Sequence, residues 1–306
     1  MIYPMNIGEF EKKFVNEALC QEYLFDLKYK NGFVCEKCCS KEYWLVKSVL
    51  YECKDCGHQN RLTANTIFQD THKPLSMWFR AIWWITSQKN GTSALGLQRI
   101  LGIRSYRTAW TWLHKLRIAM VRPGRDKLKG FVEVDETYIG GKQSGGNRGR
   151  GTENKTLVVV AVEIDGKNIG RVRFGVINDA SAESLEIFIK NNVEEGSTII
   201  TDGWKSYSRI NELGYKHKID DKKLKNDDDK LLPHVHLVTS LLKRWILGTL
   251  QGSISDQHLA YYLDEYTFRF NRRTSASRGQ LFYRLLEQAV DIKPTVYRDI
   301  AERKGA

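Results

Sequence analysis

FVEVDETYIGG (131–141) alternates apolar and polar residues as a β-strand does, yet Asp135 stands at its centre. A carboxylate set among buried strand residues is costly unless a cation or a hydrogen-bond donor meets it. STIITDG (197–203) repeats the situation: Asp202 ends an apolar strand, and Gly203 can turn the chain out of it. Between them lie two more strand-like runs, TLVVVAVEIDG (156–166) and RVRFGVIND (171–179), and one helical segment, SAESLEIFIKNNV (181–193). Ser181 suits the helix N-cap, with Glu183 and Glu186 in the first turns.

Three consecutive strands before any helix argue against a doubly wound sheet, in which helices alternate from the start. A ribonuclease-H-like mixed-sheet α/β domain fits the order. Two strand-borne carboxylates in one sheet can converge on Mg²⁺ or Mn²⁺, hard ions that prefer oxygen. Ions about 4 Å apart activate a water or a 3′-hydroxyl and steady the leaving oxygen at phosphorus. The chemistry implied is DNA strand cleavage and transfer. The structural alternative leaves one aspartate paired with an arginine and the other in a turn. Strand alternation puts Glu133 on the face of Asp135 and Glu136 on the opposite face, which makes Glu136 the weaker ligand candidate.

Upstream, RPGRDKLKG (122–130) is a basic linker with helix breakers and marks a domain boundary. Before it, PLSMWFRAIWWITSQ, TSALGLQRILG and RSYRTAWTWLHKLR are amphipathic, with Gly91 and Gly102 at the breaks, the organisation of a helix-turn-helix unit. In the third segment Ala109, Trp112, Leu113 and Leu116 form one face, while Arg104, Arg107, Thr111 and Lys115 lie around the other; Arg104, Arg107 and Lys115 are expected to contact DNA, the alternative being a solvated charged face. Ser105 or a neighbour can cap this helix. Trp78, Trp83 and Trp84 sit at helical spacing and read as core.

Cys35-x-x-Cys38 and Cys53-x-x-Cys56, 14 residues apart, are spaced as two knuckles that give four thiolates to one structural Zn²⁺. Cys39 and His58 are spare candidates, and Cys20 reads as a small buried hydrophobe. Phe10, Phe14, Ala18, Leu19, Tyr23 and Leu24 recur at helical spacing. The expected organisation is multidomain α+β: an N-terminal helix (1–30), a zinc ribbon (31–68), a helix-turn-helix-like region (69–125) and a ribonuclease-H-like catalytic domain with C-terminal helices (126–306).

Lysine and arginine outnumber the acids 48 to 36, and the formal charge of +12 favours a polyanionic partner, nucleic acid first. No apolar run approaches the roughly 20 residues of a membrane span, and the first residues, MIYPMNIGEFEKKF, hold acids and no apolar signal core. A cytoplasmic, nucleoid-associated protein is expected. GGKQSGGNRGRG (140–151) reads as a mobile basic loop.

Together the cysteine knuckles, TIFQDTHKPLSMWFRAIWW, VEVDETYIGGK, TDGWKSY and HVHLVTSLLKRWILGTLQGSISDQHLAYYLDEYTFRFNRR resemble the insertion-sequence transposases of the ISXO-like type. The resemblance spans nearly the whole chain. It implies two divalent ions, recognition of terminal inverted repeats and target DNA, a homo-oligomer in the synaptic complex, and cut-and-paste or related transposition. Asp135 and Asp202 match the family's first two catalytic acids, and Lys243 matches the lysine that follows the third position.

At that third position, two residues before Lys243, the family carries asparagine or glutamate and this chain carries Leu241. A leucine cannot bind a hard cation, so a catalytically impaired copy is one expectation. His236 or Glu265 completing the site is the other. His236 lies near the opposite side of an unbroken helix from Leu241 and reads as a poor direct substitute, and Glu265 can instead pair with Arg269 at i+4. Two rival functions stay open: a non-enzymatic DNA-binding relic, and a nuclease or integrase of related fold.

Overall fold

The computed structural model of the chain describes residues 3–47, 49–122, 124–140, 155–220, 231–251 and 254–302. They fall into two compact units, one made by Met1–Arg122 with Thr274–Glu302 and the other by Pro123–Arg273. The division after Arg122 falls at the start of the basic linker. The glycine-rich stretch lies, from residue 141 on, outside the described residues.

In the first unit the N-terminal region forms two helices rather than one. α1 (Ile7–Lys13) and α2 (Glu17–Lys28) are each opened by an asparagine: Asn6 accepts from the Glu9 N–H and Asn16 from that of Leu19. A three-stranded antiparallel sheet follows, with β1 (Tyr43–Lys47), β2 (Leu50–Cys53) and β3 (Gln59–Arg61) in that order. Next come α3 (Leu75–Ser87), α4 (Ala94–Leu101) and α5 (Tyr106–Ala119). Gly102 ends α4 at φ +63°, the left-handed turn that glycine adopts without strain. Ser105 holds the N-cap position of α5 but makes no side-chain cap bond. Trp78 stacks on Trp112 with centroids 3.7 Å apart and Trp83 is buried, so both tryptophans serve the core.

The C-terminal segment, expected within the catalytic domain, belongs instead to this first unit. α9 (Arg278–Asp291) buries Leu281, Phe282, Leu285, Leu286 and Ala289. Phe282 meets Phe10, Phe14, Phe79 and Trp83 at centroid distances of 5.5–5.9 Å. An apolar stripe of that size is stable only against another, and α1 and α3 carry it. α10 (Tyr297–Ala301) then packs on α5.

The second unit is built on a five-stranded sheet in the order β6-β5-β4-β7-β8. β4 (Phe131–Ile139), β5 (Thr156–Asp165) and β6 (Asn168–Ile177) are antiparallel neighbours; β7 (Thr198–Thr201) runs parallel to β4, and β8 (Lys216–Ile219) parallel to β7. Both faces are covered, which explains the near-continuous apolar run of β5. Val158, Val160 and Val162 pack under α7 (Pro233–Leu250) and α8 (Asp256–Phe270). Val132, Val134, Val159, Ala161 and Ile199 pack with Leu185 and Ile189 of α6 (Ala182–Asn192) and with Tyr207 and Ile210 of two 3₁₀ turns. This is the ribonuclease-H-like mixed sheet expected from the element order. Among the described residues no helix is long and apolar enough to cross a membrane.

Candidate active site and metal centre

The two cysteine knuckles are built alike. In each, the residue after the second cysteine is left-handed, Cys39 at φ +64° and Gly57 at φ +66°, and its N–H bonds the first cysteine's carbonyl, at 2.9 and 3.0 Å. Cys35, Cys38, Cys53 and Cys56 thereby bring their sulfurs within 4.8 Å of one another. The Cys35–Cys56 and Cys38–Cys53 separations, 3.7 and 3.5 Å, are close to the ~3.8 Å edge of a tetrahedron with zinc–sulfur bonds of about 2.3 Å. Burial acts to raise the Cys35 thiol, but the peptide N–H groups of Cys38 and Lys37 outweigh it and bring the thiol down to about 6. The donor set thus fits structural zinc. Cys39 and His58 stand outside this group, and Cys20 is buried as a hydrophobe, its thiol pushed up to about 12 chiefly by burial.

In the second unit, β7 pairs with β4 in the register Phe131↔Thr198 and Glu133↔Ile200. Continued past the last of these pairs, the same register sets Asp202, the residue just after β7, level with Asp135. Asp135 Oδ1 accepts the Glu136 N–H at 2.9 Å, and Asp202 Oδ1 accepts the Trp204 N–H at 3.0 Å. The turn after Asp202 needs glycine: Gly203 lies at φ +82°, and a Cβ there would come within 2.8 Å of Ile219 Cγ2. Burial raises the pKa of Asp135; the Glu136 N–H and His236 oppose it, the like charge of Asp202 adds to it, and Lys243 opposes it. Burial, then the nearby Lys155, lowers the pKa of Lys243, while Asp135 acts the other way. Asp135, Asp202 and Lys243 therefore share one electrostatic neighbourhood.

α7 closes this neighbourhood. His236 Nδ1 lies 3.7 Å from Asp135 Oδ2, so the histidine disfavoured as a substitute stands at the site. Leu241, about 140° further round the helix, packs against the core beneath α7. Glu265 is 1% exposed and accepts from Arg269 Nε at 2.9 Å and Nη2 at 2.7 Å, so the i+4 ion pair forms.

Two features of the site were not read from the sequence, the partners that Glu133 and Glu136 find. Glu133, 3% exposed, accepts from His234 Nδ1 at 2.7 Å and from the Val235 N–H at 2.8 Å. On the other face of the sheet the buried Tyr207 hydroxyl donates to Glu136, whose pKa is raised by burial and by Asp135 and Asp202. The only signal for the first was that both histidines fall at the start of a helical segment, H-V-H at 234–236, in a chain that needs partners for buried acids. Nothing in the sequence marked the second.

Arg104, two residues before α5, and Arg107 in its first turn are exposed, the Arg107 guanidinium lying 3.7 Å over the Tyr297 ring. Lys115, expected on the same face, turns inward: its Nζ donates to Ile67 O at 3.1 Å and burial lowers its pKa. It sits one residue from Leu116, at the border of the apolar stripe, where its stem packs more easily than it reaches solvent.

Residues 127–271 match the model of the ISXO2-like transposase domain, and residues 15–59 that of the transposase zinc-ribbon domain. Over 279 residues the chain is 25% identical to an uncharacterized protein in transposable element ISH50 of Halobacterium salinarum, covering 84% of this chain and 92% of that protein. Among solved structures it is similar to the catalytic core domain of BIV integrase, at 17% identity and a TM-score of 0.32, covering 51% of this chain and 94% of that one. It is also similar to the Mos1 strand transfer complex, at 12% identity and a TM-score of 0.28, covering 78% and 81%.

Proposed function

We propose that this chain, one of the ISXO2-like insertion-sequence transposases by its catalytic domain and zinc ribbon, is a DNA strand transferase that binds its element's terminal inverted repeats and joins them to target DNA. The observation that carries this reading is the register of the parallel pair β4–β7, which sets Asp202, the residue just after β7, beside Asp135, with His236 and Lys243 of α7 near Asp135 as well.

Asp135 and Asp202 would hold Mg²⁺ or Mn²⁺ through their carboxylate oxygens. Bound there, the ions supply charge neutralisation and an activated water or 3′-hydroxyl for in-line displacement at phosphorus. The chain's own groups do the rest. The Glu136 and Trp204 N–H groups orient the two carboxylates. His236 offers a nitrogen beside Asp135 as the third ligand, and Lys243 offers a cation to the phosphate. The impaired-copy reading rested on Leu241; that side chain is half-buried against the core beneath α7, about 140° round the helix from His236, which takes the ligand role instead. Arg104, just before α5, and Arg107 of α5 are the candidate DNA contacts of the first unit. A homo-oligomer would bring two element ends together, and the nucleoid is where such a protein would act.

The experiment is joining of labelled DNA, carrying the repeats that flank the gene, to a target plasmid in Mg²⁺ or Mn²⁺. Joining is expected from the wild type and absent from Asp202→Ala. Joining by Asp202→Ala at the wild-type rate would remove the aspartate pair from the mechanism.

A further inference from the structure

Trp204 is 56% exposed, two residues from Asp202. An indole offers a large, flat π-face, and this one stands open to solvent directly beside a charged site. Its backbone is held from both sides. The Trp204 N–H donates to Asp202 Oδ1 at 3.0 Å, and its carbonyl accepts from the Tyr207 N–H at 3.0 Å. Tyr207 is itself fully buried and tied through its hydroxyl to Glu136. The indole therefore projects from a fixed turn, and the exposed Lys205 follows it.

We infer that Trp204 is a stacking platform for an unpaired nucleobase next to the phosphate being cut or joined, with Lys205 against the adjoining backbone. The inference rests on the strand-transfer reading above and adds to it the state of the DNA. Whatever occupies the space beside Asp202 must offer a phosphodiester, and the next group along such a chain is a base. Every base has a π-face that an indole can cover, and a lysine beside it tracks the backbone charge. In an intact duplex those faces are already stacked on one another, so a base reaches Trp204 only if it is frayed, single-stranded or swung out of the helix. The site is thus made for DNA that is locally open at the reacting position.

The test uses the full zinc-loaded chain without added Mg²⁺ or Mn²⁺ and two probes: a duplex with a short 3′ overhang carrying 2-aminopurine, and a blunt duplex with the same base paired. Wild type should quench the overhang probe and bind it more tightly than the blunt one. Trp204→Ala should lose the quenching and bind the overhang roughly tenfold more weakly, with blunt binding unchanged, while Trp204→Phe keeps most of both. Quenching and overhang preference retained in Trp204→Ala would overturn the inference, as would an equal loss on both probes with no rescue by phenylalanine. Joining assays on the same proteins separate the two levels. If wild type joins DNA and Trp204→Ala behaves like it throughout, only the stacking role falls; if wild type binds neither probe and joins nothing, the strand-transfer reading falls and takes this one with it.

Discussion

His236 Nδ1 stands 3.7 Å from Asp135 Oδ2. Two residues earlier on both elements, His234 Nδ1 donates to Glu133 Oε1 at 2.7 Å, and Glu133 Oε2 accepts the Val235 N–H at 2.8 Å. The start of α7 is thus capped from β4. Leu232, at the N-cap position with φ +41°, has no side chain able to cap. Strand and helix meet in one register, and that register fixes where His236 points. Glu133→Ala leaves two donors at a buried helix start and should cost about 1–3 kcal/mol of stability in the second unit. Glu133→Gln keeps one acceptor and should cost less. Denaturant unfolding of the three proteins checks the order, and an alanine variant as stable as wild type would exclude the cap.

The same register separates His236 from Leu241. His236→Ala should lower DNA joining about 100-fold or more, because the ions' placement governs in-line displacement. Leu241→Asn should leave joining within about threefold of wild type and cost stability instead, since it puts an amide into apolar packing. Imidazole suits Mn²⁺ better than Mg²⁺, so wild type should favour Mn²⁺ and His236→Glu should move the preference toward Mg²⁺. Recovery of activity by Leu241→Asn in a His236→Ala background would return the third-ligand role to position 241.

Much of this was legible beforehand because periodicity reports burial. The alternation of FVEVDETYIGG, the apolar β5 and the Ser181 cap each fix an element locally, and element order fixes the sheet. The rest depends on contacts far apart in the chain. KHKI of β8 is a short, mostly exposed edge strand whose composition resembles a loop. The stripe of α9 does not say which apolar partner it will meet. His236 looked misplaced because the site was expected on the side of the helix that carries Leu241, whereas it is the His236 side that meets Asp135 and the Leu241 side that meets the core.

Cys39 and Gly57 occupy matching left-handed positions, yet only one is glycine. Cys39→Gly should keep one zinc per chain and stabilise the ribbon slightly by removing strain at positive φ. Cys53→Ser should lose the metal and unfold the ribbon, because the metal supplies much of such a module's folding energy. Elemental analysis of protein purified without chelator gives the zinc count, and loss of zinc from Cys39→Gly would mean that Cys39 is a ligand.

Glu163 gives the second unit an acid-sensitive pair. Burial acts to raise its pKa, but hydrogen bonds from the Arg171 side chain and from the Lys129 and Arg171 N–H groups outweigh burial and hold it below 4.5. A carboxylate lowered on folding contributes stability that is full above about pH 4.5 and is lost as pH falls through the folded value. Glu163→Gln should therefore be less stable than wild type at neutral pH, and the two should converge on acidification. Parallel unfolding curves, with a constant gap down to about pH 3, would contradict the assignment.

Arg104, just ahead of α5, and Arg107 and Lys115 within it should behave differently on DNA. Each lysine or arginine that meets a phosphate releases about 0.9 counterion, which appears in the slope of log affinity against log salt. Arg104→Ala and Arg107→Ala should each reduce the steepness by about one, and Arg107→Ala also frees the Tyr297 ring that its guanidinium covers. Lys115→Ala should leave the slope unchanged, because its Nζ is committed to Ile67 O. Losing that bond to a carbonyl should instead lower the stability of the first unit by about 1 kcal/mol. Filter binding on one duplex across a salt series, with thermal unfolding alongside, measures both quantities for each variant. A Lys115→Ala slope reduced as much as those of the arginine variants, with stability unchanged, would put the lysine back on the DNA-facing surface.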